Sequence, residues 1–541
     1  MSHIKPQDSY KQSARRFADH YQQYSRAHGK DYGALASEIE NIFSAIGLYG
    51  DLRAWQEVVD TVQLIQNFLD NAGYWEELVT SIRVAVESAD NYFWTQGRDP
   101  KPEFWHQRIT LRVKLSNFLF RRGEYQEAYT HATEALKIAR RVKHQKLEAL
   151  ILGVLGNIAI VQGMYKEAEL LHMQGKTLLE AMGDTASLAN AFERLATLAQ
   201  SQGDLDQAWN LQSKRLSLVK QLNEQDQIAD VLVDLGQIAI AKENYDEAGR
   251  LFDEGSEIYQ DLGNQKAVTN ILRFKSKLLL RIGKIKEARK LLKECLELER
   301  KYGDQSTELS SMVDIASVEE EQGELEESYS LYEDGLELAE TLGDLTSQVF
   351  CLQGLGRIQE SRGEKEQAYR SFKEGLDIAL KVGYAKLIAV SYDQIGLFFR
   401  KSENYELANR YLNEALNFIN RSDLKREKSQ ILFSLGGVAS MRGRLGDAYK
   451  YYQEAFGIYE QLKQDPEMGH CLAQLSLVSL SAGDVQVAWS FLTRAIEVFR
   501  RSNDGDLKEM IIRRLNDFTQ IPEYQTASKQ ILFSNFGSGI E

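Results

Sequence analysis

Proline is nearly missing from this chain. Five occur in 541 residues, Pro6, Pro100, Pro102, Pro466 and Pro522, where average usage is roughly 5%. None lies between Pro102 and Pro466. Proline breaks helix interiors but is frequent in turns, linkers and edge strands, so this gap reads as nearly continuous helix without flexible joints. Collagen-like and proline-rich disordered classes are excluded. Cysteine is scarce as well: Cys295, Cys351 and Cys471 stand far apart, which excludes a paired-cysteine metal knuckle and argues against a disulfide framework. A reducing cytoplasm fits that usage. No apolar run approaches 18 residues, and the N-terminus MSHIKPQDSYKQSARRF lacks the apolar stretch of an export signal. A soluble cytoplasmic protein with no membrane insertion is therefore expected. Positive charge is in deficit too, 65 Lys and Arg against 79 Asp and Glu, net −14. Without clustered cations, no nucleic-acid partner is expected.

What is present is a register. Gly123, Gly163, Gly203, Gly283, Gly323, Gly363, Gly443 and Gly483 fall on one 40-residue lattice, with Glu243 and Glu403 in the two vacancies. Five residues after each point stands a small residue, Ala128, Ala168, Ala208, Ala248, Ala288, Ser328, Ala368, Ala408, Ala448 and Ala488. Seven residues before it stands another, as at Ser116, Gly156, Ala196, Gly236, Ser276, Ala316, Gly356, Gly396, Gly436 and Ser476. Between these marks apolar residues recur at helical spacing, for example Leu111, Leu115, Phe118 and Leu119, then Tyr125, Ala128, Ala132, Ala135 and Leu136. Each unit therefore reads as two amphipathic helices joined at the lattice glycine, which takes the left-handed conformation that ends a helix. A second break twenty residues on carries Gly183, Gly263, Gly303, Gly343 and Gly383, or Asn223, Asp423 and Asn503. The small residues mark places where two helix backbones approach closely.

These marks resemble the tetratricopeptide repeat family, whose units place a small residue in the first helix, a glycine at the turn, an aromatic or aliphatic residue just after it and small residues in the second helix. LGNIAIVQGMYKEAELLHMQG (155–175) and LGQIAIAKENYDEAGRLFDEG (235–255) carry the match. The 40-residue length is similar to the long-helix variety, in which Gly-Asp turns replace proline. The resemblance implies an all-α, right-handed α-solenoid superhelix of helix-turn-helix repeats. Ten repeats are expected over 104–503, and a divergent one, marked by Gly73, Trp75 and Ala85, over 53–103 with an insertion around 91–105. An N-terminal helical segment occupies 1–52, and a capping helix and tail occupy 504–541. The N-terminal part, including 17–46, is similar to the helical arm of bacterial signal-transduction ATPases, without the ATPase. In the tail, Phe533, Phe536 and Ile540 suit either disorder, the expectation for a terminus, or docking on a groove.

No catalytic constellation emerges. Gly175-Lys176-Thr177 mimics the end of a phosphate loop, but Leu170 stands where the earlier glycine is needed and the segment lies in a helix, which offers no free N–H groups. No two of the eight histidines form an i, i+4 pair, so neither metal nor cofactor is expected. His172 reads as a satisfied packing histidine, Cys295 as a packing cysteine, and Glu319-Glu320-Glu321 with Glu326-Glu327 as a solvated face. Arg215 replaces a second-helix small residue and threatens a packing gap.

The family resemblance implies that the first helix of each unit lines a concave binding surface. That places Asn117, Asn157, Asn190, Arg194, Asp230, Asp234, Gln237, Asn270, Arg273, Lys277, Arg281, Gln353, Arg357, Asp393 and Gln394 on it, together with Phe120, Arg121, Phe274, Asp314, Phe350 and Arg400. Arg273, Lys277 and Arg281 follow one another at i, i+4 and i+8, a cationic stripe in an acidic protein. The expectation is a non-enzymatic scaffold binding a peptide or a segment of a partner protein. The alternative is a sensory or regulatory module that responds to a small ligand or peptide, or docks on a signalling ATPase in trans. A homo-oligomer through the N-terminal helices stays open.

Overall fold

The computed structural model describes the chain except residues 1–5, 30, 72–73, 97–101, 303–304, 503 and 537–541. Gly73, Gly303, Asn503, Ile540 and the heart of the 91–105 insertion lie outside the described residues, as does the Trp75 side chain. The described residues form 27 helices and no strand. None of these helices is long and apolar enough to cross a membrane. The fold is an all-α helical solenoid. Two compact units make it up, Met1–Ile358 with Asp377–Tyr384, and Gln359–Leu376 with Ala385–Glu541.

The turns explain the register. Every lattice glycine has positive φ, from +71° at Gly443 to +88° at Gly483, and Glu243 (+60°) and Glu403 (+58°) adopt the same left-handed geometry at the two remaining lattice positions. The second breaks follow suit at Gly183, Asn223, Gly263, Gly343 and Gly383, and also at Lys143 and Lys463. Asp423 departs from that expectation: it is not left-handed, because the preceding helix Tyr405–Ile419 ends early and the chain bends through 420–424 instead. The residue after the turn often caps the next helix. Asp184 accepts from Ser187 N at 3.0 Å and Asp204 from Gln207 N at 2.9 Å, each satisfying an orphan donor of a helix start. A Gly-Asp pair thus stops one helix and starts the next without proline.

The two small positions of each unit face each other. Ser116 Oγ donates to Ala128 O at 2.7 Å, Ser328 Oγ to Ala316 O at 2.7 Å, and Ser476 Oγ to Ala488 O at 2.8 Å. A larger side chain at either place would hold the helices apart. Nine residues past the turn, a bulky residue lies across the first helix of its own pair: a Cβ added to Gly236 would meet Phe252 at 2.5 Å, one on Gly396 Leu412 at 2.6 Å, and one on Gly436 Tyr452 at 2.7 Å. Neighbouring first helices also meet directly, as Pro102–Arg121 does Gln145–Val161 and Gln225–Ala241 does Gln265–Arg281.

Two further features bound the stack. Within the first unit, the turn at Gly123 returns against a later one. A Cβ on Gly123 would lie 3.2 Å from Val382 Cγ1, and the buried Tyr125 ring meets Tyr384 edge-on at 6.2 Å. Burial first, and then the neighbouring Tyr384 and Asp344, raise the Tyr125 hydroxyl to about 12 against a hydrogen bond with Thr346. At the C-terminus, Gly505–Thr519 buries Leu507, Ile511, Leu515 and Phe518. Beyond it Gln525–Phe536 is helical and docked, with Leu532 buried, the Phe536 ring 5.4 Å from Phe499, and Phe533 exposed. Disorder is therefore corrected for this part of the tail: one apolar side of the helix finds a cover in cis.

Candidate partner-binding site

The sequence-derived residues sit on first helices, at recurring offsets from the turn. Asn190 and Arg194 share one face of Thr185–Gln202; Asp230, Asp234 and Gln237 occupy the matching places on Gln225–Ala241. Asn117, Asn190, Asp230, Lys277 and Arg281 are exposed, whereas Asn157, Arg194, Asp234, Gln237, Asn270, Arg273, Arg357 and Gln394 are half-buried. Gln353 and Asp393 are only 5% and 3% exposed. Those two face helix neighbours rather than solvent, and burial pushes the Asp393 carboxyl up to about 6.

A polar network joins several of these residues to second-helix residues. Arg215, only 5% exposed, places Nη2 2.9 Å from Glu193 Oε2 and Nη1 2.9 Å from Asp234 Oδ2. Gln212 Nε2 donates to the same Asp234 oxygen at 3.0 Å. Burial raises the Asp234 carboxyl to about 6; Arg215 opposes the rise, while Glu193 and Asp230 add to it. On the outer turn, the Tyr259 hydroxyl donates to Asp230. The packing gap expected at Arg215 does not exist, because the guanidinium fills the space and is held by two carboxylates.

Farther along, Arg273 Nη2 donates to Asn270 Oδ1 at 2.9 Å, and Lys277 pairs with Asp314 at 3.1 Å. The cationic stripe is thus partly compensated from its own surroundings. Arg357 grips Glu320 through Nε and Nη2, both at 2.8 Å, a bidentate geometry that fixes the guanidinium. The reading of the acidic run as a solvated face fails at Glu319. Its side chain is fully buried and bridged by Arg289 and Lys293, which also hold Glu327.

Elsewhere the side chains suit packing rather than chemistry. The three cysteines are free and buried, and burial drives the thiols of Cys295 and Cys351 up to about 12, far from the thiolate a nucleophile needs. Lys176 and Thr177 lie inside Tyr165–Met182. No cluster of three metal-ligating side chains occurs among the described residues. His172 packs on Gly156, as expected of a core side chain, but it is not satisfied: it is 2% exposed and neither ring nitrogen has a partner.

Paired helices, left-handed turns at fixed intervals and facing small residues define a helical-repeat protein of the solenoid class. Residues 113–304 match the MalT-like TPR region, and residues 307–381 match the tetratricopeptide repeat. The matched residues carry tetratricopeptide repeats. No curated protein matches it. Similar solved structures include BtubC from P. vanneervenii, 19% identical, covering 40% of this chain and 92% of that one, TM-score 0.37. Another is a signal transduction ATPase with numerous domains and a tetratricopeptide repeat sensor from Pyrococcus horikoshii (13% identical, 86% and 89% covered, TM-score 0.44). The apo quorum sensor NprR from B. thuringiensis is a third (13%, 63% and 98%, TM-score 0.43).

Proposed function

We propose that this chain is a non-enzymatic scaffold that holds an extended or helical segment of a partner protein along the face where its first helices meet. The observation that supports it most is the row of hydrogen-bonding side chains on successive first helices, set from behind by second-helix residues. Asp230 is fixed by Tyr259 and Asp234 by Arg215 and Gln212, while Asn190, Lys277 and Arg281 keep exposed surface. A row already ordered before binding loses little entropy when a segment is laid on it, and each asparagine can both donate to and accept from a peptide backbone. Stacked repeats supply the stiffness.

The test is site-specific photo-crosslinking in the cell of origin. A photoreactive residue at Asn190 or Gln237 should trap a partner that the same residue at the exposed Ser213, on a second helix, does not. Crosslinks only at Ser213 would overturn the assignment of the face. The triple variant R273E/K277E/R281E should lose the trapped partner while keeping its helical melting transition.

A further inference from the structure

Charge is distributed unevenly along the stack. Residues 265–302, the helix pair Gln265–Arg281 and Ile285–Tyr302, hold twelve Lys and Arg against four Glu, a net of +8 in a chain whose total is −14. Residues 305–342, the next pair Gln305–Glu321 and Leu325–Leu342, hold twelve Asp and Glu and no Lys or Arg, a net of −12. The reversal is positional. Arg281, Lys284, Lys286, Lys293 and Arg300 stand forty residues before Glu321, Glu324, Glu326, Glu333 and Glu340. The two turns share one geometry, with φ of +78° at Gly283 and +80° at Gly323, so the opposed charges occupy equivalent places on neighbouring repeats.

Part of this charge joins the two repeats to each other. Lys277 reaches Asp314, Arg300 reaches Glu308, and Arg289 and Lys293 hold Glu319 and Glu327. The turn edge takes no part in that bridging. Lys284, Lys286 and Lys290 are exposed around and beyond Gly283, and the only carboxylate paired with any of them among the described residues is Glu287, 3.5 Å from Lys284. Around and beyond Gly323, Glu321, Glu324 and Glu333 are exposed and enter no ion pair among the described residues. Cohesion between repeats therefore accounts for the inner charges and leaves the outer ones, a cationic turn beside an acidic turn, without a use. Like charges held together at one edge repel, a cost that an opposite surface laid over them would remove.

We propose that this edge pairs with a second copy of the chain. A two-fold axis passing between the turns at Gly283 and Gly323 lays the cationic turn of each copy on the acidic turn of the other. Both contacts are then attractive, and the surface is complementary to itself. The chain supplies its own acidic counterpart at the matching spacing, because both turns are built on the same repeat. Ile282, 42% exposed at the tip of the cationic turn, adds an apolar contact. The pairing uses Lys284, Lys286 and Lys290 with Glu321 and Glu324, none of them in the first-helix row, so it stands apart from the proposed binding of a partner segment. Exposed charge pairs are screened by salt, so the dimer forms near 0.1 M, where the screening length is about 10 Å, and separates toward 1 M, where it is about 3 Å.

Sedimentation velocity of the full chain at about 100 µM reads the association directly. A dimer is expected at about 0.1 M NaCl and a monomer at about 1 M. K284E/K286E makes both turns acidic and E321K/E324K makes both basic. Each variant alone should associate roughly tenfold more weakly or not at all, with its helical melting transition kept. An equimolar mixture of the two should dimerise again, because every contact in the mixed pair joins opposite charges. That rescue distinguishes pairing of the two turns from damage to the fold. A dimer indifferent to salt or to either variant, or a mixture that stays monomeric, would overturn the proposal. So would a native chain that is monomeric throughout, which would leave the cationic turn to an acidic surface of another protein.

Discussion

Glu243 occupies the backbone slot that Gly163 fills two repeats earlier, with φ of +60° against +72°. The chain tolerates a side chain where the turn wants none, because a left-handed residue with a Cβ costs roughly 1 kcal/mol or more and the helices on both sides hold it there. Replacing Glu243 or Glu403 by glycine should therefore stabilise the protein by about 1 kcal/mol each, offset in part by the added freedom of the unfolded chain. The converse, G323A, should destabilise by a similar amount. A Cβ on Gly323 meets nothing within 4 Å, so any loss is backbone strain alone. Urea melts of the three variants check this; a destabilised E243G would refute it.

His172 makes the fold acid-sensitive in a defined window. Burial, and then the Arg194 charge, depress its pKa to about 4, against an ordinary 6.5. Below about 6.5 the unfolded chain takes up a proton that the folded chain refuses until about pH 4. The stability it contributes is thus complete above pH 6.5 and falls away between 6.5 and 4, by up to about 3 kcal/mol. The difference in melting behaviour between the native chain and H172F should be constant above pH 7 and shift in favour of H172F as pH is lowered from 6.5 to 4. A pH-independent difference would contradict the assignment.

Arg215 should be costly to remove alone. R215M leaves Asp234 without its guanidinium in a half-buried seam and should destabilise by about 3 kcal/mol. The double variant R215M/D234L removes both charges and should recover most of that loss. Equal stabilities of the single and double variants would show that Asp234 is solvated rather than dependent on Arg215. A double-mutant cycle measured in urea separates the two.

The contact of Tyr125 with Tyr384 ties the start of the repeat array to a later turn within the same unit. Removing both rings, as Y125A/Y384A, should raise hydrogen-exchange rates at residues 120–128 and 378–384 by tenfold or more. Helices such as Gln225–Ala241, distant in sequence from both, should keep their protection. Unchanged exchange in the two turns would show that the contact contributes nothing to their order.

The repeat register, the helix pairing and the turn residues could be read directly from the chain. They depend on local chemistry: a left-handed slot that glycine fills best, a capping aspartate beside it, and small residues where backbones touch. Lys143 and Lys463 take left-handed turns although a lysine there carries no composition signal, and Asp423 does not, because the early end of Tyr405–Ile419 decides its geometry. The first-helix positions could also be placed by counting. Their company could not: Arg215 bridging Glu193 and Asp234, Glu319 buried under Arg289, and Gln353 and Asp393 closed off from solvent all depend on side chains from a neighbouring helix. Sequence period fixes which way a residue points along its own helix, because the 3.6-residue turn is a property of one backbone. Whether a charge there meets a partner or water is set by what the adjacent repeat brings to within a few ångströms, and only the stacked structure decides that.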